Sequence, residues 1–88
     1  MDAAADLTII ESEIRRLHER MCMLGATHTY ALAVTPGGLR WADVDGRRDY
    51  PRLVERYGHC IVGYYNARVD RMHMLMDALH EARKIGLI

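Results

Sequence analysis

The sequence predicts a mainly helical α+β domain in which two heptad-patterned helices form an antiparallel pair, with a β-hairpin and a short helix inserted between them. Three observations carry this expectation. Apolar residues recur every three or four positions near both ends of the chain, an alternating stretch around a Pro-Gly-Gly turn separates them, and 88 residues are enough for one small domain spanning 1–88.

The first helix is expected over about 7–24. Ala3, Leu7, Ile10, Ile14, Leu17, Met21 and Leu24 follow a 4-3-4-3-4-3 spacing that places them on one narrow stripe, with Glu11, Glu13, Arg15, Arg16, His18, Glu19 and Arg20 on the remainder. Thr8 followed by Glu11 matches a capping box, Asp6 is a competing cap, and Gly25 suits the left-handed residue that ends a helix. A small core leaves one flank of each helix poorly covered. The seam of Leu7, Ile10, Ile14, Leu17 and Met21 is therefore also the candidate contact of a homodimer.

From Thr27 the period changes to two, which predicts a β-hairpin over about 27–44. His28, Tyr30, Leu32 and Val34 alternate with Thr29, Ala31 and Ala33; Pro36 presets φ at the first central turn position and Gly37 is expected to supply a positive φ at the second. Leu39 to Val44 return as the partner strand. A lone hairpin is marginal in water, so Tyr30, Leu32, Leu39 and Trp41 are expected to lean on the helices. Asp49 as N-cap and Pro51 in the first turn open a short helix over about 50–57, which Gly58 interrupts. Residues 59–65, rich in strand formers, admit a third strand. The spacing of Val62, Tyr65, Val69, Met72, Met76 and Leu79 favours instead a long helix over about 60–85, ending before Gly86.

Twelve basic and twelve acidic residues cancel, which removes the global field that most nucleic-acid and anionic-membrane binders carry. The opening MDAAADL has neither the basic nor the apolar region of a signal peptide, and no apolar run approaches the ~20 residues of a membrane span. Cys22 and Cys60 sit in apolar surroundings rather than in a spaced disulfide framework, so a reducing, cytoplasmic location is expected. Eleven arginines against one lysine, with frequent alanine, fit the codon bias of a GC-rich bacterial or phage genome.

Chemistry-bearing motifs are sparse. His18 and Cys22 have chelating i,i+4 spacing and His59-Cys60 offers two more ligand types, yet the spacing is that of no known zinc finger. Asp43-Val44-Asp45-Gly46 lacks the third early oxygen ligand and the bidentate glutamate of a calcium loop, and Arg47 and Arg48 would repel the ion. His73 and Asp77 form an i,i+4 pair, but no phosphate loop, nucleophile elbow or HExxH accompanies them. No metal, cofactor or catalytic residue is therefore expected.

Interface hot spots are enriched in Tyr, Trp and Arg. Arg40, Trp41, Arg48, Tyr50, Arg52, Arg56 and Tyr57 gather in the return strand and the short helix, away from the heptad seams, and form the candidate partner-binding surface. The expected function is a small, non-enzymatic, homodimeric protein-binding module that occludes or bridges a surface of a larger protein, as an inhibitor or adaptor would. Phages and other mobile elements use small proteins in this way against host machinery, anti-CRISPR proteins among them, and the parallel is one of size and composition only. The alternative is a small DNA- or RNA-associated regulator using the arginine edge of Arg48, Arg52 and Arg56.

Overall fold

A strand covered on both faces must be apolar or have its polar groups satisfied, and the segment Tyr30–Thr35 meets that demand: all six of its residues are buried, and the Thr35 hydroxyl is hydrogen-bonded in the following turn. It is the central strand of the computed structural model, which describes residues 3–25 and 27–88, with side chains from Leu7 onward. The elements are α1 (Ala3–Leu24), β1 (Tyr30–Thr35), β2 (Gly38–Asp43), α2 (Asp49–Tyr57), a 3₁₀ turn (Gly58–Cys60), β3 (Ile61–Tyr65) and α3 (Arg71–Lys84). The fold is α+β, with an antiparallel sheet in the order β2-β1-β3.

Alternation along β1 divides the core in two. Tyr30, Leu32 and Val34 face α1 and α3, meeting Ile10, Ile14, Leu17 and Met21 from the first helix and Met74, Ala78, Leu79 and Ala82 from the last. Ala31 and Ala33 face the other way, where Ala42 of β2 and Leu53 of α2 complete a smaller cluster. The layers are thus α1 with α3, the sheet, and α2. The seam proposed as a dimer contact is consumed here: Ile14, Leu17 and Met21 are at most 1% exposed within the single chain, Ile10 is buried and Leu7 is partly buried against the same cluster.

Helix α1 begins at Ala3 rather than near residue 7, because Ala3-Ala4-Ala5 favours helix strongly enough to extend it backwards. Thr8 and Glu11 consequently lie inside the helix instead of capping it; the side chains of Ala3 and Asp6 lie outside the described residues. Its end is as expected: Gly25 has a φ of 89° and its N–H bonds the carbonyl of Met21 at 3.1 Å. In the hairpin the positive φ falls on Gly38, at 114°, and not on Gly37. Thr35 locks that turn, its hydroxyl donating to the Gly38 carbonyl at 2.8 Å and accepting from the Gly37 N–H at 3.2 Å.

Asp49 is the first residue of α2 rather than its cap; Arg48 occupies the cap and makes no side-chain cap bond. The carboxylate still sits at the positive end of the helix dipole.

The largest departure is the long helix expected over 60–85, which divides into the 3₁₀ turn, β3 and α3. The second edge of β1 supplies the reason. Buried N–H and C=O groups there would be left unpaired if residues 61–65 were helical, and β3 satisfies them by antiparallel pairing from Tyr30↔Tyr65 to Ala33↔Ile61, with a bulge at Leu32/Ala33. The i,i+3/i+4 spacing of Val62, Tyr65 and Val69 therefore runs from β3 into the loop before α3. Helix α3 has its own start signal, Asp70, whose Oδ1 accepts from the Met72 N–H at 2.8 Å. Gly63 is required by the return of Tyr65 across the strand: a Cβ there would lie 2.5 Å from the Tyr65 hydroxyl oxygen. Among the described residues, no helix is long and apolar enough to cross a membrane.

Candidate functional site

Helix α2 commits one residue, Leu53, to the core and leaves Arg52, Val54, Glu55 and Arg56 exposed. It lies beside β2, whose register pairs Arg40 with Ala33 and so turns Arg40 toward the α2 side of the sheet. Between them runs a groove of about 360 Å³ lined by Arg40, Trp41, Asp49, Arg52, Leu53, Arg56 and Tyr57.

Five of the seven residues offered as a partner-binding surface, Arg40, Trp41, Arg52, Arg56 and Tyr57, meet in this groove. Tyr50 does not. It turns to the opposite flank, where its hydroxyl lies 3.1 Å from that of Tyr64 and the two rings meet edge to face with centroids 6.4 Å apart. Arg48 is exposed at the start of α2 and is not part of the lining. Asp49 and Leu53 belong to the site although composition did not single them out; the i,i+4 relation of Asp49, Leu53 and Tyr57 was the available signal. Trp41 serves two purposes, packing half-buried against the main core while lining the groove.

The charge of the groove is unbalanced. Among the described residues the ion pairs are His28–Asp43 at 3.2 Å, His73–Asp77 at 3.5 Å and Lys84–Glu81 at 3.6 Å, and none involves Arg40, Arg52 or Arg56. Arg40 instead folds back along its own strand, Nη1 donating to the Leu39 carbonyl at 2.8 Å. Three arginine side chains line the groove against one carboxylate, Asp49, with the Arg52 and Arg56 guanidinium groups unengaged among the described residues, and this balance suits an anionic ligand surface.

Other constellations have local roles. His18 donates Nε2–H to the Val69 carbonyl at 3.0 Å, which turns Nδ1 toward the exposed Cys22 thiol at 3.7 Å. No group of three metal-ligating side chains occurs among the described residues. The Tyr65 hydroxyl donates to Asp77 Oδ2 at 2.7 Å, and burial together with this carboxylate raises the tyrosine pKa far above its ordinary range. Asp43 is held below the usual carboxylate range, chiefly by the Asp45 N–H at 2.9 Å and with help from His28. A second depression of about 180 Å³ lies beside the β1–β2 turn, lined by Ile9, Ile10, Glu13, Pro36, Gly37, Gly38, Leu39, Arg40 and Leu87.

The chain matches no known family, no curated protein and no solved structure.

Proposed function

We propose that this chain is a small, non-enzymatic protein-binding module that occludes or bridges a surface of a larger protein, docking through the groove between β2 and α2. The observation that carries this reading is the convergence of Arg40, Arg52 and Arg56, without ion-pair partners among the described residues, beside Trp41 and Tyr57. Large aromatic faces and bidentate guanidinium groups are the side chains that dominate interface energetics. Free thiols at Cys22 and Cys60 support a reducing, cytoplasmic setting.

The antiparallel helix pair is part of the same reading. His18 of α1 bonds to Val69 just before α3, and Ile9 and Ile10 share a depression with Leu87 just beyond its end, which supports opposed directions. A homodimer would use surface outside the seam, and the exposed Met72 and Met76 on α3 are its best candidates.

Capture from a lysate of the native host, with and without nuclease, tests the function. The expected result is a retained protein, insensitive to nuclease, whose affinity falls at least about fivefold in the Arg52→Ala/Arg56→Ala variant while the melting temperature is unchanged. Retention that disappears with nuclease and declines steeply between about 50 and 200 mM salt would favour a nucleic-acid-associated regulator instead.

A further inference from the structure

We infer that β2 is a pairing edge: an extended acidic peptide segment of the partner adds to it as a fourth strand and sets its carboxylates against Arg40, Arg52 and Arg56. This rests on the docking reading above and names the chemistry of the partner. Strand β2 lies at the end of the sheet and, among the described residues, pairs only with β1. Its register closes on Thr35↔Gly38, and the Val44 N–H bonds the Thr29 carbonyl at 2.9 Å, so alternate residues Gly38, Arg40 and Ala42 bond inward. The N–H groups of Leu39, Trp41 and Asp43 and their carbonyls point to the open side. Two of those carbonyls are already engaged, that of Leu39 by the Arg40 guanidinium at 2.8 Å and that of Asp43 by the Gly46 N–H at 2.9 Å. Among the described residues, the groups left without a hydrogen bond are three donors and the Trp41 carbonyl between them, which is the length of ladder that a short peptide strand completes.

The two edges of the sheet differ in how they are protected. Strand β3 is five residues long and bulged against β1, a device that disfavours further pairing. Strand β2 has six residues in unbroken register and contains no proline. A strand added to β2 presents alternate side chains to its two sides. Those on the α2 side meet Arg52 and Arg56, and Arg40 once it leaves the Leu39 carbonyl, which favours carboxylates. One on the other side, near the turn, meets the depression walled by Ile9, Pro36, Leu39 and Leu87, which favours an apolar residue. A phosphate backbone would supply acceptors to this edge but no donor for the Trp41 carbonyl, whereas a peptide backbone supplies both in the alternating order of a strand.

The probe is a peptide of about eight residues alternating glutamate and valine, long enough to span β2, with a lysine–valine peptide as charge control. A third peptide repeats the glutamate sequence with alternate backbone amides N-methylated. Titration followed by backbone NMR should show the glutamate peptide binding, new hydrogen-exchange protection at the amides of Leu39, Trp41 and Asp43, and at least about fivefold weaker binding to Arg52→Ala/Arg56→Ala. The lysine peptide should not bind, and N-methylation should cost at least about tenfold. Equal binding of the methylated peptide, or protection elsewhere, would overturn strand addition while leaving the groove a charged docking site. Failure of every peptide, with the Arg52/Arg56 variant still losing a captured protein, would sink the edge inference alone; a captured protein indifferent to both arginines would sink the docking reading itself.

Discussion

The two faces of the sheet are built to different standards. Against α1 and α3 the sheet sets Tyr30, Leu32 and Val34, and the opposing Leu17, Met21 and Met74 are fully buried. Against α2 it sets Ala31, Ala33 and Ala42, with Leu53 as the one large buried side chain supplied in return. Apolar area removed from water stabilises roughly in proportion to its extent, so most of the stability resides on the first face. The second face is left free to carry uncompensated arginines, since α2 contributes little that their mutual repulsion could endanger. On the docking reading proposed above, partitioning stability and recognition between two faces would let a chain of 88 residues retain both.

Ile14→Asp is expected to have the largest effect, because it places a carboxylate with neither water nor partner in the thick core. Circular dichroism at 25 °C should show an unfolded chain, whereas Val54→Asp on the exposed flank of α2 should remain folded. If both variants fold equally well, the contrast between the faces is wrong. A wild-type melting temperature that rises with protein concentration would return the α1 seam to an intermolecular role.

Leu53→Ala should be intermediate, costing about 2 kcal/mol in urea unfolding, the lower end for such truncations because the space it vacates opens into the groove. Leu17→Ala, which leaves an enclosed void, should cost about 4 kcal/mol. Equal costs would show that α2 is as firmly anchored as α1.

The smallest effect refines the first face at its rim. Tyr65→Phe removes the bond to Asp77 and should cost about 1 kcal/mol at neutral pH. Its pH dependence follows from linkage. Folding raises the Tyr65 pKa above its ordinary value of 10, so the unfolded chain releases this proton first. The stability it contributes is complete below pH 10 and declines as the pH rises above that value. Wild type should therefore lose stability more steeply than Tyr65→Phe between about pH 10 and 11; parallel pH profiles would show that the hydroxyl is not held in its protonated form.

Much of this is legible in the sequence. The seam of Ile10, Ile14, Leu17 and Met21 announced the buried stripe of α1, the alternation from Thr29 to Val34 announced β1, and Arg40, Trp41, Arg52, Arg56 and Tyr57, grouped by residue type and place in the chain, line one groove. Tyr50 was misplaced because consecutive helical residues diverge by about 100°, so Tyr50 and Asp49 face different flanks of α2.

Local pattern determined which residues of this chain are apolar on one side and where its tightest turns lie, because periodicity and the backbone preferences of glycine and proline act within a few residues. It did not determine what covers each apolar side. The α1 seam suits a second copy as well as it suits β1 and α3, and residues 61–65 suit helix as well as strand until the unpaired edge of β1 is considered. Burying that strand on both faces made its second row of N–H and C=O groups costly to leave unsatisfied. That cost arises only once residues distant in sequence have assembled, and it drew Ile61–Tyr65 out of the helical pattern and into the sheet.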